Sequence, residues 1–211
     1  MEYEEKTILT QTQIDALREV SNIGAGSAIT ALSQFINKPV EMEPTAEVIF
    51  NSTEDFRLIF NGLPLVSVVS SEIPDKISGH LLIIFEEENT LSVAKLLLGN
   101  EASTMVMTNE LAISAIKEIG NVMFSSYLAA MGSMTSMSIM ISPPSFDSGS
   151  THKVFDSLEV SQSIKEEQIT VCFESSFWIK GSTNIPGYII FVPSPISLKS
   201  LLTTLGVRGS E

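Results

Sequence analysis

Apolar or small residues at Ile14, Leu17, Ser21, Gly24, Ala25, Ala28, Leu32 and Phe35 recur every three or four positions and line one side of a long amphipathic helix. Thr10 or Thr12 can cap its start, and Asn37-Lys38-Pro39 ends it, because the residue before a proline avoids helical geometry. Gly24 and Gly26 each cost such a helix roughly 1 kcal/mol, which implies that another backbone or side chain comes close there. From Val40 the pattern turns to strands: Val40 and Met42 alternate with acids, followed by Ala46 to Phe50, Phe56 to Phe60 and Pro64 to Ser70, with Asn61-Gly62 as a turn signal. Gly79 to Phe85 is a wholly apolar run after His80 and predicts a buried strand. Glu86 to Leu98 predicts a helix closed by Gly99-Asn100.

The same order of elements then recurs. A helix from Asn109 to Met131 with a cap near Thr108 is predicted, then a strand at Met134 to Ile141 stopped by Pro143-Pro144. Ser145 to Ser150 reads as a mobile Gly/Ser-rich loop, and Lys153 to Ser161 as irregular structure or a short helix. Strands are expected at Gln168 to Phe173, Phe177 to Lys180 and Gly187 to Val192, and a last helix at Pro195 to Leu205 before Gly206. The chain is therefore expected to be a single domain of two repeats, about 10–100 and 108–207. Its fold class is α+β, with two pseudo-symmetric halves whose strands join one mostly antiparallel sheet and whose two long helices lie together on one side.

The repeat is sharpest inside the long helices. Asp15-Ala-Leu-Arg-Glu19-Val-Ser-Asn22 and Ser114-Ala-Ile-Lys-Glu118-Ile-Gly-Asn121 agree in residue kind at every position. At about 100° per residue, Glu and Asn fall one turn apart on a stripe beside the packing side of each helix. Val20 and Ile23, and likewise Ile119 and Val122, fall beyond that stripe. Apolar residues on a solvent face beside a polar pair suggest a docking surface for a partner protein. A lone Glu and Asn on an amphipathic helix is ordinarily a solvated face; the same pair in the same register twice marks a site.

Composition narrows the partners. With 25 Asp and Glu against 12 Lys and Arg, the net charge of -13 argues against nucleic acid or an anionic membrane surface. The single cysteine, Cys172, lies in an apolar run, so no internal disulfide forms and a buried inert thiol is expected. The opening Met-Glu-Tyr-Glu-Glu-Lys has no signal-peptide pattern, and the uncharged stretch from Ile119 to Ser145 is too rich in Gly, Ser, Thr and Asn for a lipid-facing helix. A cytoplasmic protein without membrane insertion is expected. Gly24-Ala25-Gly26 lacks the preceding strand of a dinucleotide fingerprint. His80 and His152 have no ligand-spaced partners, so no metal site is expected. The methionines between Met123 and Met140 read as core filling, and no nucleophile-elbow pattern occurs.

At Asp15, Glu19 and Asn22, and again at Ser114, Glu118 and Asn121, the chain resembles the CheC family of chemotaxis phosphatases, which includes CheX and FliY. Its signature is Asp or Ser, three residues, Glu, two residues, Asn. Ile23-Gly-Ala-Gly26, Thr30-Ala-Leu-Ser33 and Pro143-Pro144 are similar as well. Ser27 departs from the Asn of many relatives, and the single motif of CheX makes CheC the nearer resemblance. What the resemblance implies is hydrolysis of the aspartyl phosphate of the response regulator CheY, in signal termination or adaptation. No cofactor is then bound by this chain, Mg²⁺ being expected on the regulator. Asn22 and Asn121 orient the attacking water, Glu19 and Glu118 pair with the regulator's active-site lysine, and Asp15 and Ser114 steady the helix face. Phosphoryl transfer depends on positioning and charge stabilisation more than on a strong base, which suits a carboxamide that donates and accepts without charge. The receptor deamidase CheD is a second candidate partner, although Ser145 to Ser150 is less apolar than in relatives that bind it. The alternative, from another class, is a non-catalytic module that sequesters phosphorylated CheY or CheD.

Overall fold

The computed structural model describes residues 9–50, 60, 62–74, 77–98, 110–158, 170–181 and 184–207. Helix α1 (Gln11–Ile36) starts at a capping box: Thr10 Oγ1 accepts from the Gln13 amide while the Gln13 side chain accepts from the Thr10 amide. It stops where Asn37 turns left-handed at φ 50°. The expected strands come next as β1 (Val40–Met42), β2 (Ala46–Phe50), β3 (Leu65–Pro74) and β4 (Ser78–Glu86), then α2 (Glu87–Leu98). The predicted strand at Phe56 to Phe60, the Asn61 turn, the Gly99-Asn100 stop and the Thr108 cap lie wholly or mostly outside the described residues. The second long helix, α3 (Glu110–Thr135), ends at a left-handed Ser136, φ 54°. After it come β5 (Ser145–Ser150), α4 (Thr151–Ser157), β6 (Thr170–Ile179), β7 (Ile185–Pro193) and α5 (Pro195–Thr204).

Three expectations are corrected here. Met134 to Ile141 is not a strand: Met134 and Thr135 continue α3, with Thr135 buried in step with Met131, and residues 137–144 form a strap without regular secondary structure. Ser145 to Ser150 is not a loop but β5, paired antiparallel with β3 from Leu65↔Ser150 to Ser70↔Ser145. Serine hydroxyls join the two strands at Ser70–Ser145 (2.7 Å) and Ser67–Ser148 (2.9 Å). An edge strand needs little side-chain burial, so partner pairing overrides its low intrinsic propensity. The two strands expected at Gln168 to Phe173 and Phe177 to Lys180 are one continuous strand, β6.

All strands pair antiparallel in one seven-stranded sheet of order β1-β6-β7-β4-β3-β5, with β2 also on the outer edge of β6. The order is a palindrome. The hairpins β3-β4 and β6-β7 meet at β4-β7, and each receives its outer strand from the other half, β5 on β3 and β2 on β6. The halves are pseudo-symmetric and interlocked through the sheet. Both long helices cover one face, above a core that includes Leu17, Ile116, Phe124, Tyr127 and Phe191. The opposite face carries a smaller core around Phe60, Phe155 and Cys172, whose thiol is buried as expected and pushed upward in pKa by that burial.

The helices meet closely because glycine permits it. A Cβ on Gly24 would lie 2.9 Å from the Tyr127 ring, and one on Gly120 would lie 2.5 Å from Val69 on β3. Gly26 differs from expectation, since no atom within 4 Å would meet a Cβ there.

Candidate functional site

The two motif stripes share a helix geometry and differ in the backbone that each helix leads into. On α1, Glu19 is exposed and Asn22 half-buried. Between β1 and β2 the register slips: Met42 faces Phe177 and Ala46 faces Glu174, so three residues oppose two, a β-bulge. Glu43 keeps a sheet bond to the Ser176 carbonyl at 2.9 Å, while the Thr45 amide turns away from β6 and donates to Asn22 Oδ1 at 3.2 Å. The Thr45 hydroxyl lies 3.4 Å from the same oxygen and 2.6 Å from the Ser175 hydroxyl, and Thr45 is buried. The carboxamide oxygen of Asn22 thus satisfies a backbone donor that the bulge would otherwise strand.

Arg18 beside it is also engaged. Its Nε donates to Glu47 Oε2 on β2 at 2.6 Å, and a terminal nitrogen lies 3.1 Å from Asp15 Oδ1, which also accepts from Gln11. The hydrogen bond to Glu47 raises the guanidinium pKa and holds the Glu47 carboxyl below the usual carboxylate range. Both side chains are about one-third exposed, so the pair contributes at most about 1 kcal/mol. Asp15 therefore steadies Arg18 and, through it, the contact of α1 with β2.

On α3 the stripe is open. Ser114, Glu118 and Asn121 are all exposed. Together with Lys117 they line one wall of an open pocket of ≈ 560 Å³, whose far wall includes Pro143 and Pro144 of the strap. The strap is held to β3 at Ser142, whose amide donates to the Glu72 carbonyl at 2.9 Å and whose carbonyl accepts from Ser71 at 3.1 Å. Among the described residues no hydrogen bond or ion pair engages the side chain of Asn121, Glu118 or Lys117. The cause is legible in the repeat: the offset that relates Asn22 to Asn121 also relates Pro44 to Pro143 and Thr45 to Pro144. A proline has neither an amide N–H nor a hydroxyl to offer, so the second carboxamide is left unoccupied.

The apolar strip is corrected in part. Val20 is 2% exposed and Ile119 0%, both within the helix-side core, whereas Ile23 is exposed and Val122 half-buried at the surface. The inward arc of each long helix is wider than its strongest period suggested, because α1 packs on α3, on β1, β2 and β6 and on α5. Sequence reasoning also missed Thr45, Glu47 and Lys117. Extending the repeat beyond the octets, to Thr45 and Pro144, was the signal that could have found the difference.

The family model of CheC-like proteins matches residues 13–44 and 111–147, the two motif helices together with the segment after each. The chain belongs to the CheC-like family. It is 26% identical over 203 residues to the CheY-P phosphatase CheC of Bacillus subtilis, covering 94% of this chain and 96% of that protein. Its fold superposes on FliY of Thermotoga maritima with a TM-score of 0.72, at 20% identity over 96% of this chain and 100% of the other. It also matches a chain in the CheX-CheY-BeF3-Mg²⁺ complex of Borrelia burgdorferi, with a TM-score of 0.52 and 14% identity over 81% of this chain and 95% of the other. Those likenesses at low identity show a shared fold. Family membership and the distant phosphatase relatives accord with the resemblance read from the octets.

Among the described residues no helix is long and apolar enough to cross a membrane, and no group of three or more His, Cys, Asp and Glu side chains could hold a metal ion.

Proposed function

We propose that the chain is a phosphatase acting on the aspartyl phosphate of a CheY-type response regulator in the cytoplasm, with most of its turnover at the α3 face. The observation that carries this is the open pocket in which Glu118 and Asn121 stand one turn apart with the carboxamide unengaged. A carboxamide there can accept from the attacking water and donate to a phosphoryl oxygen, fixing the water in line without adding repulsive charge. Glu118 pairs with a cation of the regulator and sets the angle of approach, and Mg²⁺ arrives bound to the regulator. Ser114 shapes the entrance one turn earlier. Ile23 and Val122 remain as apolar docking contacts at the two faces, and CheD stays a second candidate partner. The α1 face, with Glu19 and Asn22, takes the same role more slowly. Freeing Asn22 from Thr45 breaks two hydrogen bonds, roughly 1–2 kcal/mol, which is about a tenfold handicap.

The engaged Asn22 favours the second reading, a binding module, for the α1 face alone: a face can hold a partner while its carboxamide is structural. Turnover separates the two readings for the whole chain. With the chain at a small fraction of the phosphorylated regulator, a catalyst releases many phosphates per chain, whereas a sequestering module slows or leaves unchanged the regulator's own decay. Acceleration lost in the Asn22→Ala, Asn121→Ala double variant supports the proposal; no acceleration by the native chain refutes it.

A further inference from the structure

We infer that Lys117 contacts the phosphoryl group at the α3 face, a role for which its counterpart Arg18 is not free. The inference rests on the phosphatase reading and names a residue outside the Glu and Asn pair. Lys117 and Asn121 are four residues apart on one helix, hence neighbours one turn apart, and both line the pocket. Lys117 is the one cation among the described residues that line the pocket, which also include Glu110 and Glu118. Mg²⁺ on the regulator and the cation that pairs with Glu118 offset part of the repulsion, but Glu110 and the net charge of -13 still oppose a phosphoryl anion, and a cation lining the pocket lowers that barrier.

The two halves show that this cation is left free by sequence. Arg18 is held by Asp15 and Glu47. At the repeat offset those acids are replaced by Ser114 and Phe146, neither of which carries charge, while the base itself is retained as Lys117. Phe146 instead packs against the helix-side core. Lysine keeps the positive charge at this position as a mobile point charge on a flexible stem, able to follow a phosphoryl oxygen as the regulator docks, whereas the guanidinium of Arg18 is fixed by its two carboxylates.

The test is steady-state dephosphorylation of a phosphorylated CheY-type regulator at low and high ionic strength by Lys117→Gln, Lys117→Arg and Asn121→Ala, with Lys199→Gln, at an exposed position of α5, as the charge-matched control. Lys117→Gln is expected to raise KM about three- to tenfold with kcat changed less than about twofold, and to flatten the salt dependence of kcat/KM. Lys117→Arg retains most of the native KM, and Lys199→Gln leaves both constants unchanged. If Lys117→Gln keeps the native KM and salt dependence while Asn121→Ala loses turnover, the role of Lys117 is wrong and the phosphatase reading stands. If Asn121→Ala also keeps the native rate, turnover does not occur at the α3 face and the role of Lys117 there is wrong with it; loss of acceleration in the Asn22→Ala, Asn121→Ala double variant still decides the phosphatase reading separately.

Discussion

Asn22 and Asn121 hold the same place in the repeat, and one backbone atom separates their fates: the amide nitrogen of Thr45 carries a hydrogen and that of Pro144 does not. At this scale the Glu and Asn pairs were legible, because helical spacing fixes which side chains share a face. The tether on Asn22 was not, since it arises from a bulge register that only strand pairing defines. Val20 and Ile119 were misplaced for a related reason, as periodicity locates the centre of a buried arc and not its width. A partly buried acid away from the site supplies a separate prediction. Glu174 on β6 is half-buried, and desolvation raises its pKa, weakly opposed by the Ser176 hydroxyl at 3.5 Å. A folded pKa above the unfolded one means that ionisation costs stability as pH rises through the raised value. Glu174→Gln should therefore raise the melting temperature at neutral pH, with the gain vanishing as pH falls below the ordinary carboxylate range. A gain that persists unchanged in acid would show that burial of charge is not its cause.

Among the elements, the two long helices and the central strands β4 and β7 were legible from period and composition, which their burial enforces. The strap and β5 were not. Met137 to Ile141 has strand-like residues and no strand to pair with, whereas Ser145 to Ser150 has loop-like residues and the open edge of β3. Position relative to an available edge decided both. The helix pair is set by a close contact at Gly24, where Ala would push into the fully buried Tyr127 ring. Gly24→Ala is expected to destabilise by about 1–2 kcal/mol, overpacking outweighing the gain in helix propensity. Gly26→Ala, with open space at its Cβ, is expected to stabilise by up to about 1 kcal/mol. Denaturant midpoints of the two variants check this, and equal shifts in one direction would contradict the packing account.

For the molecule as a whole, duplication was visible in the octets, but the interlocking of the halves was not, because sequence order pairs neighbours and here each half lends its outer strand to the other. That exchange places β2 beside α1 and β5 with its strap beside α3, so one sheet edge closes the first face while the other leaves the second open. On the proposed reading, this asymmetry divides the work between the two faces. That division is tested most directly by the initial rate of phosphate loss from a phosphorylated CheY-type regulator with Asn22→Ala, Asn121→Ala, and Asn121→Ala combined with Thr45→Pro. Asn22→Ala is expected to keep most of the native acceleration and Asn121→Ala about a tenth, and adding Thr45→Pro is expected to recover part of the loss by untethering Asn22. Equal losses in the two single variants, with no recovery from Thr45→Pro, would contradict it.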